Sequence, residues 1–246
     1  MIIYNQFLIP MKTISNGKID PSIKEALKKL VNIDLDFYVV GGLLCQFYLK
    51  EHARYTKDVD IVFYSDPEKV KKELKKAYGL IDFSYEEETE RFYEPSFTCF
   101  AWFGELRGQI EGRRIDFFKE IKVEEYSYEG IKFKGVCIEY GIADKIASLL
   151  NELSRPYKHL VDIYSFTKID QSLIDKKEIK RYMSLINEQE NKFRKKIGLK
   201  ELELPKQIPQ DKVFTAPIVV PTLQSKYNVS KETMLAEVND WLKTVL

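Results

Sequence analysis

Residues 39–63 read VVGGLLCQFYLKEHARYTKDVDIVF. An apolar run ends in Gly41-Gly42, and sixteen positions after Gly42 two aspartates, Asp58 and Asp60, stand one residue apart. Phe37 to Val40 reads as a short strand, the glycines as the turn that ends it, and Leu43 to Lys50 as a helix that begins there. Asp58 to Tyr64 reads as a second strand. With a period of two, Asp58, Asp60 and Val62 share one face of it, and Val59, Ile61 and Phe63 share the other.

Each feature has an ordinary explanation: Gly-Gly after a strand is commonly a turn, and Asp-x-Asp a polar strand edge. Their combination on these elements points to chemistry. The two aspartates lie roughly 7 Å apart at Cα, and their side chains can converge on one hard cation such as Mg²⁺. A Gly-Gly turn opening a helix lets backbone N–H groups approach a phosphate with no Cβ in the way, at the favourable end of the helix dipole. Asp116 lies in the alternating stretch Arg114-Ile115-Asp116-Phe117-Phe118. If that stretch is a strand beside the first, its carboxylate completes a cluster of three. Such a cluster repels itself unless a dication is present, so it is costly as a purely structural device.

The rest of the chain frames this site. Its 246 residues carry 39 basic and 38 acidic side chains, a net charge of +1, which excludes a broad electrostatic footprint for nucleic acid. Hydrophobic residues at 44% and charged residues at 31% describe a globular protein. Cys45, Cys99 and Cys137 are odd in number and widely spaced, which argues for a reducing compartment and against a structural zinc. The opening MIIYNQFLIP is short and lacks a basic lead, so it reads as a strand or packing arm. No run is long enough to span a bilayer, and the expected location is cytoplasmic, with no membrane partner.

Asp20-Pro21 opens an amphipathic helix carrying Ile23, Ala26, Leu27, Leu30 and Val31, and Pro67 opens another with Val70, Leu74 and Ala77 inward. Phe97 to Phe103, Arg114 to Phe118 and Ile131 to Ile138 read as strands, with Gly104 to Gly112 as a connection. From Gly141 the apolar spacing becomes helical, through Leu153, then around Leu160 to Tyr164, then from Ile179 to Phe193. Pro205, Pro209, Pro217 and Pro221 mark an irregular segment before a last helix capped by Ser230. The expectation is an α/β domain over 1–140 and a helical domain over 141–246 that completes the cleft.

Gly41-Gly42, then Arg54-x-Thr56-x-Asp58-x-Asp60 on a strand, then a later carboxylate in RIDFF, resembles the nucleotidyltransferase fold of the DNA polymerase β superfamily. The form is similar to the AbiEii-type nucleotidyltransferases, the toxin half of type IV toxin–antitoxin systems. "IADKIASLL" resembles that family's lysine helix, placing Lys145. "RPYKHLVDIYSF" resembles its arginine, lysine and aspartate helix, placing Arg155, Lys158 and Asp162. Residues 35–170 carry the resemblance. Leu43 stands where the family commonly has a hydroxyl, and His159 where it often has an aspartate.

The resemblance implies an α+β fold, a mixed sheet with flanking helices followed by a helical C-terminal region. It implies transfer of NMP from an NTP to a hydroxyl acceptor. Asp58, Asp60 and Asp116 would hold two Mg²⁺ ions, with Lys145 and Asp162 also in catalysis. Gly41, Gly42, Arg54, Thr56, Arg155 and Lys158 would bind the nucleotide. It further implies tRNA or a protein as acceptor and a separate antitoxin as partner. A small-molecule transferase of the aminoglycoside-modifying kind shares the glycine turn and the paired aspartates, and a non-catalytic nucleotide-binding module shares the fold.

Several of these residues have plainer readings. Lys145 sits beside Ile146 and reads equally as a solvated helix lysine. Lys158 and Asp162, at i and i+4, read equally as an exposed helix ion pair. Arg54 and Thr56 read equally as residues ending a strand. His52 and His159 lack a partner at metal-ligand spacing, which argues against zinc. The basic run from Lys192 to Lys200 could grip an RNA backbone but reads more readily as a solvated helix end. Tyr126, Tyr128 and Tyr140 read as packing residues more readily than as base-stacking ones.

Overall fold

Pro21 occupies the first helical position, and the Asp20 carboxylate accepts from the Ser22 N–H, so helix α1 (Pro21–Leu30) starts where the sequence places it. The computed structural model describes residues 12–14, 19–79, 82–86, 96–103, 105–151, 156–204, 207–208 and 229–246. The apolar opening segment and the prolines at 205, 209, 217 and 221 lie outside the described residues.

Among the described residues one eight-stranded sheet forms the centre of an α+β fold. Its strands are β1 (Lys12–Ile14), β2 (Phe37–Val40), β3 (Asp58–Phe63), β4 (Asp82–Glu86), β5 (Ser96–Phe103), β6 (Leu106–Arg114), β7 (Val123–Tyr128) and β8 (Ile131–Val136). Their order is β1-β7-β8-β2-β3-β6-β5-β4. The sheet is mixed: β3 runs parallel to β6 and β2 parallel to β8, while β2–β3 and β5–β6 are antiparallel.

The flanking helices are α2 (Gly41–Leu49), α3 (Pro67–Tyr78), α4 (Ile138–Asn151), α5 (Pro156–Thr167), α6 (Lys176–Lys196) and α7 (Lys231–Leu242). Helix α1 lies against β3, β5 and β6. It buries Ile23, Leu27 and Leu30 in the same core as Val59, Ile61, Phe63, Phe97, Cys99 and Ile110. Helices α4 and α5 pack on each other and on α2, and α7 packs on α5. Ser230 caps α7 by accepting from the Thr233 N–H at 3.2 Å. Cys45, Cys99 and Cys137 are buried, and none is in a disulfide. Among the described residues no helix is long and apolar enough to cross a membrane.

One stretch departs from the sequence expectation. Of the stretch expected as a connection, Leu106 to Gly112 is strand: β6 begins at Leu106 and ends at Arg114. Its glycines are not turn residues. A Cβ at Gly108 would lie 2.6 Å from the Phe103 ring, and one at Gly112 2.3 Å from the Phe97 ring. Rings of the neighbouring strand fill the space that side chains on β6 would need. Phe118 accordingly starts a short 3₁₀ turn, Phe118–Glu120, and not a strand end.

Candidate active site

The pairing of β2 with β3 builds the first part of the site. Val40, the last residue of β2, lies opposite Asp60, so the glycines that follow it turn directly over that aspartate. Gly41 has φ +74°, and a Cβ there would sit 1.8 Å from Asp60 Oδ2. Only glycine satisfies both the backbone angle and the contact. The Gly42 N–H, in the first turn of α2, points at the same oxygen across 3.4 Å. A Cβ at Gly42 would meet Thr56 Oγ1 at 2.7 Å, so the turn is also closed against the segment entering β3. Thr56 is buried and donates its hydroxyl to Asp58 Oδ1 at 3.1 Å, which fixes that carboxylate.

The pairing of β3 with β6 supplies the third acid. Asp60 stands opposite Glu111 in the parallel register, and Asp58 opposite Gln109. Side chains of paired residues share a face, and the alternation places Val59 and Ile61 with Ile110 on the buried side. Carboxylate oxygens of Asp58, Asp60 and Glu111 all lie within 4.8 Å of one another. Among the described residues this is the group of acids, histidines or cysteines able to share one ion, and it contains neither His52 nor His159.

The structure does not bring Asp116 into that group. It is exposed in the turn after β6, five residues beyond Glu111, where its N–H donates to Gln189 Oε1 at 2.8 Å. The acid beside the aspartate pair is Glu111. Sequence reasoning missed it because the two glycines flanking it made its strand look like a loop. Its signal was present in the alternation of Ile110 with Gln109 and Glu111.

The three acids act on one another electrostatically. Burial, then the like charges of Asp58 and Glu111, push the Asp60 carboxyl up to about 7. Lys145 and Lys158 oppose this, so both stand close enough to act on Asp60. Hard oxygen donors that lie within reach of one point could hold a cation such as Mg²⁺.

A second cluster joins the helical half to the site. Asp162 on α5 is 1% exposed and receives Arg54 Nε at 3.0 Å and Lys145 Nζ of α4 at 3.1 Å. Burial alone would raise the Asp162 carboxyl, but Arg54 and then Lys145 outweigh it and hold it at about 2. Burial likewise opposes the charge on Lys145, and Asp162 overcomes it, so the lysine stays protonated. Lys145 is thus a buried, paired cation and not a solvated one. The helix pair that the spacing of Lys158 and Asp162 suggests gives way to a tertiary one, because Asp162 faces Arg54 and Lys145. Lys158 is partly buried near the acids, and Arg155 lies outside the described residues. Cys45 lies beneath this cluster, its thiol pushed up to about 12 by burial and by Asp162, so it is no nucleophile.

Tyr126 and Tyr140 are buried side chains of the core, Tyr126 sharing the Glu124 carboxylate with Tyr48. In the basic run, Lys192 pairs with Glu188 on the exposed side of α6.

Neither a protein-family model nor the sequence of a curated protein matches the chain. In three dimensions it is similar to a candidate nucleotidyltransferase from H. pylori, at 13% identity over 90% of this chain and 92% of that one, with a TM-score of 0.45. It is similar to JHP933 from Helicobacter pylori at 13% identity, 91% and 90% coverage and a TM-score of 0.44. It is also similar to an antigenic nucleotidyltransferase-like protein from Paracoccidioides brasiliensis, at 17% identity, 79% and 95% coverage and a TM-score of 0.42.

Proposed function

We propose that the chain is a metal-dependent nucleotidyltransferase that moves NMP from an NTP to a hydroxyl acceptor. The observation that carries this reading is the convergence of Asp58, Asp60 and Glu111 beneath a glycine turn that opens a helix. Those three acids would hold Mg²⁺, in two sites by the family resemblance. A divalent cation bound there supplies charge to the phosphoryl oxygens and makes the attacking hydroxyl more acidic.

The chain's own groups divide the remaining work. The Gly41-Gly42 turn leaves room for phosphate oxygens against the first N–H groups of α2. Lys145 and Lys158 face the acids from the helical half and supply positive charge for the triphosphate. Asp162 holds Lys145 and Arg54 in place, which makes it a positioning residue and not a proton acceptor. Thr56 orients Asp58 through its hydroxyl. In the transfer, an O–P bond forms between the acceptor hydroxyl and the α-phosphorus. The bond to the β-phosphate bridge breaks, and pyrophosphate and a proton leave.

The finer assignment is the AbiEii-type branch, cytoplasmic, with tRNA or a protein as acceptor and a separate antitoxin. Its support is that Lys145 and Asp162, the residues its two helix motifs single out, meet Arg54 at the site. The test is transfer of label from each of four α-³²P-NTPs with Mg²⁺ to tRNA, to a protein mixture or to an aminoglycoside. Label on a macromolecule that disappears in Asp58→Ala supports the reading. Label on the aminoglycoside alone replaces the branch, and Mg²⁺–NTP binding without transfer to any of them replaces the enzyme with a binding module.

A further inference from the structure

The sheet face that carries the acids continues beyond them onto β5. In the β5–β6 register Phe100 stands opposite Gln109 and Trp102 opposite Arg107. Gln109 in turn stands opposite Asp58. Thr98, Phe100 and Trp102 therefore share a face with Asp58, Asp60 and Glu111, while Phe97, Cys99 and Ala101 point into the core. Trp102 is 62% exposed. The Arg107 guanidinium lies 3.9 Å from the centroid of the Phe100 ring, and Gln109 donates to Glu111 between this pair and the acids.

An exposed indole beside a ring already capped by a guanidinium is a surface of flat, polarisable faces. Nucleobases bind such surfaces by stacking, and arginine adds cation–π attraction and charge for the phosphodiester backbone. The lattice of the sheet gives the scale. Two inter-strand spacings separate Phe100 from Asp58, about 10 Å, and a step of two residues along β5 leads to Trp102, placing it about 12 Å from the acids. That is the length of three to four stacked nucleotides at about 3.4 Å each.

We infer that Phe100, Trp102 and Arg107 form a stacking platform for the bases of a single-stranded polynucleotide whose 3′ hydroxyl lies at the carboxylates. This rests on the transferase reading of Asp58, Asp60 and Glu111, and it gives the acceptor a class and a direction. A duplex is refused, because its bases are already stacked on each other. An oligonucleotide shorter than about four residues reaches the acids without reaching Trp102.

Binding is measured separately from chemistry, by fluorescence anisotropy of 5′-labelled 12-residue RNA and DNA oligonucleotides with the inactive Asp58→Ala protein. Trp102→Ala and Arg107→Ala in that background each weaken binding about tenfold, and Trp102→Phe recovers most of the loss. Unlabelled oligonucleotide quenches tryptophan emission, since the other tryptophan, Trp241, is engaged with Gln171 on the helical side. Equal binding with and without Trp102, or tighter binding of a duplex, overturns the platform. So does a dimer by sedimentation that Trp102→Ala dissolves without changing oligonucleotide affinity, because the ring then serves contact between copies. Oligonucleotide bound at Trp102 with no transfer from any NTP keeps the platform and overturns the transferase. Transfer to a small hydroxyl compound with no oligonucleotide binding does the reverse.

Discussion

Glu111 on β6 stands directly opposite Asp60 on β3, in parallel register and on the same open face of the sheet. Asp116, five residues later, is exposed in the turn beyond it. Glu111→Gln is therefore expected to lower nucleotidyl transfer at least about a hundredfold. Asp116→Asn is expected to leave it near wild type. Single-turnover assays of both proteins check this, and the opposite pattern would return the third metal ligand to Asp116.

The three acids repel one another when no cation is bound. Mg²⁺ is expected to raise the melting temperature of the wild type by several degrees, as a ligand that binds only the folded chain does. In Asp60→Asn the response is lost, while the metal-free protein melts higher than wild type because one of three like charges is gone. Calorimetry with and without EDTA measures both. A wild type indifferent to Mg²⁺ would remove the metal from the site.

Gly41→Ala combines an unfavourable backbone angle with a direct clash on Asp60. It is expected to cost about 1–3 kcal/mol and to abolish the Mg²⁺ response. Gly79 has a similar φ of +78° but open space around it. Gly79→Ala thus reports the backbone cost alone and keeps the metal response. Urea unfolding of the pair separates the two contributions.

Removing Asp162 leaves Arg54 and Lys145 as buried cations without their shared carboxylate. Asp162→Ala is expected to destabilise the fold by about 3–5 kcal/mol. In the wild type the carboxyl titrates at about 2, below its ordinary value of 3.8. The unfolded chain then takes up the proton first as pH falls. This contribution, about 2 kcal/mol, is complete above pH 4 and is lost between about pH 4 and pH 2. Asp162→Asn should flatten that part of the acid-unfolding curve, and an unchanged curve would mean that the cations do not lean on Asp162.

Much of this was legible in the chain itself. Gly41-Gly42 after an apolar run, and Asp58 and Asp60 two apart on a strand, fix their elements locally, because turn geometry and strand alternation depend on adjacent residues. Capped helices such as α1 and α7 follow from the same short-range chemistry at Asp20-Pro21 and Ser230.

What the sequence could not decide is which distant residues meet. Gly108 and Gly112 look like turn residues until Phe103 and Phe97 of the neighbouring strand are seen to fill their space, and that misreading hid Glu111. Lys145 has the pattern of a solvated lysine until Asp162, seventeen residues on, is brought against it and Arg54. Strand register and helix packing set those contacts. A local pattern determines the face on which a side chain stands, whereas its partner there depends on the long-range pairing of β3 with β6 and of α4 with α5.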